Sequence, residues 1–115
     1  LMYHRVGEGK YTSTNVSTEM FKQHLEAIKA SGLSYIEPEK FKNQILEGKT
    51  FSKRFILLTV DDAFKSFYQN AWPILKENKI PFIMFVNTRE ISNNHPNYMS
   101  WDQIRELRDS GPTSV

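Results

Sequence analysis

Strand-like and helix-like segments alternate along the whole chain, which predicts an α/β fold of order βαβαβαβα on a mainly parallel sheet. Three observations carry that prediction. Apolar runs at residues 55–60 and 82–86 have strand length and are rich in Phe, Ile, Leu and Val. Amphipathic stretches of helical period lie between such runs. Gly, Pro and Ser punctuate the junctions where caps and turns belong. Four β-α units make half of a barrel or a small open sheet. No internal repeat or low-complexity linker divides the 115 residues, so a single domain is expected.

Residues 1–6 alternate loosely and read as the first strand, followed by a polar loop with Gly7, Gly9 and Asn15. Ser17 is placed as an N-cap, with Val16 and Phe21 as a hydrophobic staple. Phe21, Leu25 and Ile28 then share one helical face, and Gly32 suits the C′ position. A short extended piece at residues 35–36 precedes Pro38, which suits the first turn of a second helix. Its buried stripe is expected to include Phe41 and Ile45, ending near Gly48. The continuous apolar run at 55–60 reads as a strand covered on both faces. Phe67, Ala71, Ile74 and Leu75 line a third helix, where Pro73 predicts a kink or a fresh start. Pro81 introduces the fourth strand, at 82–86. After a polar loop, Ser100 and Gln103 have capping-box spacing, and Ile104 and Leu107 carry a last helix toward Gly111.

Composition narrows the partners. Apolar residues make up 39% and charged residues 24%, with 8 Phe, 5 Tyr and 2 Trp to build a core. Disorder is therefore not expected, although the mean hydropathy of -0.53 leans polar. The net charge is only +2 and the basic residues are scattered, which argues against nucleic acid as a partner. The chain has no cysteine, so disulfides and thiolate metal sites are excluded. The apolar runs are too short to cross a bilayer, and no signal peptide is visible.

The most informative stretch is Thr59-Val60-Asp61-Asp62-Ala63-Phe64. Its two carboxylates are expected immediately after a buried strand and before a helix, the end of a parallel sheet at which ligands bind. Adjacent carboxylates repel, so their titrations split unless a cation or donor compensates. One can hold a metal while the other takes a proton from water. The bland alternative is a turn or helix-cap pair.

This stretch resembles the first motif of the polysaccharide (chitin and peptidoglycan) deacetylases, carbohydrate esterase family four, usually Thr-Phe-Asp-Asp-Gly-Tyr. Leu1-Met2-Tyr3-His4-Arg5-Val6 is similar to the opening strand of many members. Ala71-Trp72-Pro73-Ile74-Leu75, Ile80-Pro81-Phe82 and Phe85-Val86 resemble the helix-strand unit that follows the motif. Met99-Ser100-Trp101-Asp102-Gln103-Ile104, with Gly111, resembles the approach to the second motif. The resemblance implies the N-terminal half of a deformed (β/α) barrel. It also implies metal-dependent removal of N- or O-acetyl groups from an acetylated polysaccharide, with a periplasmic or cell-surface location. Asp61 takes the position of the general base and Asp62 that of a ligand to a divalent metal, often zinc.

Two departures are mild: Ala63 stands for the usual Gly and Val60 for the usual Phe. A third is larger. Family members follow the glycine matching Gly111 with a strand and a His-x-x-x-His motif, whereas here the sequence reads Gly111-Pro112-Thr113-Ser114-Val115. The expectation is a fragment, inactive and without its metal as a 115-residue chain, that self-associates through the uncovered face of a half-barrel.

Other candidates carry less. His4 lies near the end of the first strand, where it lines the same mouth as Asp61 or serves structure alone. His24 reads as a boundary residue of the first helix and His95 as a loop residue. Gly48-Lys49-Thr50 follows a helix instead of opening one, so it is not a phosphate loop. Asn15-Val16-Ser17 fits a glycosylation sequon, but Ser17 is better explained as a cap. Trp72 and Trp101 read as core rather than sugar platforms. Two alternatives to the enzyme are a non-catalytic carbohydrate-binding or scaffold relative and, remotely, a phospho-receiver domain. The receiver reading fits poorly, because the acidic pair follows the third expected strand and no later strand ends in Asp or Lys.

Overall fold

The structure, a computed structural model, describes residues 1–111, 113 and 114. In chain order the elements are β1 (Met2–Tyr3), β2 (Arg5–Val6), β3 (Asn15–Val16), α1 (Thr18–Ala30), β4 (Ser34–Tyr35), α2 (Pro38–Leu46) and β5 (Phe55–Ile56). They continue with β6 (Thr59–Asp62), α3 (Lys65–Asn70), α4 (Trp72–Glu77), β7 (Phe82–Val86), α5 (Thr88–Ser92), α6 (Trp101–Asp109) and β8 (Thr113–Ser114). Every strand pairing between these elements is parallel. The main sheet has the order β1-β6-β7-β8, and β2-β3 and β4-β5 form two smaller pairs.

Local chemistry sets most boundaries as expected. The Ser17 side chain accepts from the Met20 N–H and starts α1, and Gly32 follows its C-cap at φ 72°. Ser100 and Gln103 form a reciprocal capping box on α6. Pro73 yields the fresh start: Ala71 ends α3 and also caps α4, so the third helix is two short ones. Phe82–Val86 is a strand, as its apolar run predicts.

Several expectations need correction. The first strand breaks at His4 into β1 and β2, which pair with different neighbours. The run at 55–60 breaks at Leu57 and Leu58, since β5 pairs with β4 while β6 joins the main sheet. Nor is β6 covered on both faces: Val60 is fully buried, whereas Thr59 and Asp61 are partly exposed. Strand alternation puts those two on the opposite face from Val60. Ile45 is 55% exposed and outside any buried stripe. Of that stripe only Phe41 is covered, stacking on Phe51 at 5.7 Å and meeting Phe55 at 6.1 Å. The loop after β7 contains α5, and β8 follows α6, neither of which local periodicity announced.

One core ties the layers together. Val60, Phe82 and Met84 from the sheet pack with Phe21 and Leu25 of α1, Phe67 and Leu75 of α3 and α4, and Ile104 and Leu107 of α6. Trp72 lies inside this core and Trp101 packs against it, as read from sequence. No helix among the described residues is long and apolar enough to cross a membrane.

Candidate active site

Asp61 and Asp62 are the last two residues of β6, an interior strand between β1 and β7. They therefore belong to the strand rather than following it, paired in register with Phe85 and Val86. The ladder holds the backbone of both. Beyond it the chain turns sharply, because Asp62 (φ 70°) and Ala63 (φ 59°) are both left-handed, a region L-residues rarely adopt.

Neighbouring segments hold that turn in place. The Ala63 carbonyl accepts from the Met99 N–H at 3.0 Å, and the Lys65 N–H donates to the Asn97 carbonyl at 2.8 Å. Phe64 bridges to Tyr98 with ring centroids 4.7 Å apart. The loop before α6 thus clamps the acidic turn, which explains how two strained residues persist there.

His4 comes to the same place from the other side. Its Nε2 lies 3.7 Å from Asp61 Oδ2, an ion-pair distance that is too long for a good hydrogen bond. Both side chains keep access to solvent, at 24% and 30% exposed. The strand that follows His4, β2, is tied to the helix that follows the acidic pair: the Asn70 amide donates to the Val6 carbonyl at 2.7 Å, and the Val6 N–H points at the buried Ser66 hydroxyl at 3.4 Å. The two strand ends are thereby held in fixed relation. Next to His4, the Arg5 guanidinium lies 3.6 Å from the centroid of the Phe64 ring and 4.3 Å from that of Tyr11.

A cavity of about 410 Å³ opens over this end of the sheet, lined by Met2, Thr59, Asp61, Asp62, Phe85 and Val86. Both aspartates contribute to its lining. A larger cavity of about 870 Å³ lies at the opposite strand ends beside Tyr35, Ile80 and Pro81, away from the acidic pair. The Tyr98 phenol is pushed above its ordinary value by burial first, then by the charges of Asp62 and Glu90, with Arg5 opposing.

The other histidines stand apart. His24 Nδ1 pairs with the Tyr3 hydroxyl at 2.8 Å, and burial, with a smaller contribution from Tyr35, pushes that phenol up to about 12. His95 Nδ1 accepts from the Asn97 N–H and serves its own loop. Arg5, Ser66, Asn70 and Tyr98 were not singled out from sequence. Arg5 adjoins His4 and Ser66 follows the acidic turn closely, whereas Tyr98 reaches the site through contact between distant segments.

A metal requires more ligands than are gathered here. Among the described residues no group of three His, Asp or Glu side chains converges to hold an ion. Asp62 can supply one oxygen ligand, but the described residues do not by themselves fit a metal centre.

A model of the polysaccharide deacetylase family matches residues 48–115, more than half of the chain and the stretch that includes the acidic pair. The chain belongs to the polysaccharide deacetylase family. Among curated relatives, a poly-β-1,6-N-acetyl-D-glucosamine N-deacetylase of Staphylococcus epidermidis is 28% identical over 91% of this chain and 37% of its own length. Among solved structures, IcaB from Ammonifex degensii superposes with a TM-score of 0.85 at 30% identity, covering 99% of this chain and 49% of that one. The Streptococcus pyogenes deacetylase PplD, solved with acetate, gives 0.81 at 26% identity over 99% and 52%. The chain thus spans about half or less of the deacetylases it matches, and its parallel sheet corresponds to the N-terminal half of their (β/α) barrel.

Proposed function

We propose that this chain forms the acidic half of a deacetylase site, which removes acetyl groups from a polymer of N-acetylglucosamine in the full-length protein. The observation that carries the reading is the joint placement of Asp61, Asp62 and His4 at the C-terminal rim of a parallel sheet. The substrate class is supported by the staphylococcal relative, named for a β-1,6-linked N-acetylglucosamine polymer.

The chemistry uses this chain's own groups. Asp61 takes the proton from the water that attacks the acetyl carbonyl, as a carboxylate exposed to a cavity can. The new C–O bond gives a tetrahedral oxyanion, and cleavage of the C–N bond releases acetate and an amine. His4, 3.7 Å from Asp61 at the same rim, is placed to donate a proton to that amine as it leaves. On this reading Asp62 is one ligand of a divalent metal such as zinc. On the same reading its remaining ligands come from outside the described residues.

The test is acetate release from an N-acetylglucosamine oligomer by the full-length protein. Asp61→Asn is expected to lower the rate roughly 10²–10⁴-fold, and a chelator to abolish it. Turnover that survives both treatments defeats the proposal. A non-catalytic, polysaccharide-binding relative is the second reading, favoured by the lack of a three-ligand group among the described residues. It predicts no acetate release from the unmodified protein.

A further inference from the structure

We propose that Tyr11 and the polar groove beside it form a sugar-binding subsite next to the acidic pair, which seats a neighbouring ring of the polymer. The inference rests on the deacetylase reading only for the identity of the ligand as a sugar chain.

Tyr11 is 54% exposed, although tyrosine is a residue that folding tends to cover. Its position is held rather than free. The Arg5 guanidinium lies 4.3 Å from the ring centroid on one side. Arg5 itself is pinned by Thr14 Oγ1 at 2.7 Å, by Glu8 at 3.3 Å and by the Phe64 ring at 3.6 Å. The Tyr11 backbone is left-handed at φ 61°, a conformation disfavoured for an aromatic residue. Its carbonyl accepts from the Thr14 N–H at 2.9 Å, which closes the turn that keeps it there. A strained backbone, a pinned cation and an exposed ring together make a preorganised flat platform.

The neighbouring groove supplies the polar complement. A cavity of about 450 Å³ lies between the loop that carries Tyr11 and the start of α3. Glu8, Lys10, Lys65, Gln69 and Asn97 line it. These carboxylate, ammonium and amide groups can donate to or accept from ring hydroxyls, while an aromatic face takes the apolar C–H face of a pyranose. Lys65 is three residues beyond Asp62, and Phe64 joins the platform to the acidic turn through Arg5. The groove therefore begins within a few residues of the acidic turn, and on this proposal it takes the rings next to the one being deacetylated. The mixed charge suits a neutral, hydroxylated chain better than a polyanion.

Calorimetric titration of the full-length protein, in an Asp61→Asn form that leaves the probes intact, with an N-acetylglucosamine pentamer and with cellopentaose tests the subsite. Stacking needs no acetyl group, so Tyr11→Ala is expected to weaken both probes alike, by about tenfold. Tyr11→Phe keeps the ring and should bind as the parent does. Far-UV circular dichroism checks that the exposed substitution leaves the fold intact. Unchanged binding in Tyr11→Ala, an equal loss in Tyr11→Phe, or no binding of either probe by the parent overturns the subsite. None of these results touches the deacetylase reading, which acetate release decides separately.

Discussion

At the scale of single residues, the site depends on backbone that is unusual for the side chains it carries. Ala63 is fully buried yet left-handed, at the position where related motifs usually have glycine. Glycine there would relieve about 1–2 kcal/mol of left-handed strain. It would also lose about 0.8 kcal/mol of methyl burial and gain unfolded-state freedom. The two effects nearly cancel, so Ala63→Gly should change stability by less than about 1 kcal/mol. Ala63→Val adds branching at a positive φ and volume in a full core, and should cost at least about 3 kcal/mol. Urea unfolding of the two variants checks the contrast. Equal losses would mean that the turn is not left-handed in solution. His4 and Asp61, 3.7 Å apart, also show a limit of sequence reading: nothing in the residues between them announces the contact.

Among elements, the decisive joint is between β2 and α3. Gly7 leaves β2 at φ 80°, and a Cβ there would sit 2.7 Å from both the Asn70 amide nitrogen and Thr18 Oγ1. The same Asn70 amide holds the Val6 carbonyl, so crowding it loosens the strand next to His4. Gly7→Ala is expected to destabilise the chain by about 1–3 kcal/mol, through the disfavoured φ and the lost hydrogen bond. Thermal unfolding measures the loss. A variant as stable as the parent would show that this joint carries little. The helices were largely legible because their signals are local: Ser17, Gly32, Pro73 and Ser100 each act within a few residues. The short strands were not, because pairing partners decide where they break, as at His4 and between Ile56 and Thr59. Ile45 was misassigned for a similar reason. Its spacing from Phe41 suits a buried face, but the described structure leaves it uncovered.

For the whole molecule, the main sheet is two-faced. Tyr3, Val60, Phe82 and Met84 are buried under helices. On the other side Met2, 60% exposed, and Phe85, 57% exposed, flank Asp61. In the matching solved structures, this chain's equivalent makes up about half of the molecule. An apolar rim of this kind drives association when nothing else covers it. The 115-residue chain is therefore expected to self-associate. Light scattering across a dilution series checks this, with a mass that falls toward 13.5 kDa as the chain is diluted. A single species of that mass at every concentration would show that the open face is not sticky enough to matter.

By itself the sequence determined the α/β class, the caps and breaks of its helices, the family and the acidic pair, because periodicity, capping and a contiguous motif are all written in neighbouring residues. Only the tertiary structure decided that Asp61 and Asp62 end an interior strand, that His4 reaches Asp61, and that Arg5 and Tyr98 surround the turn. Those relations depend on which strands pair and which loops pack together. Such choices follow from burying one shared core, so no local stretch of the chain records them.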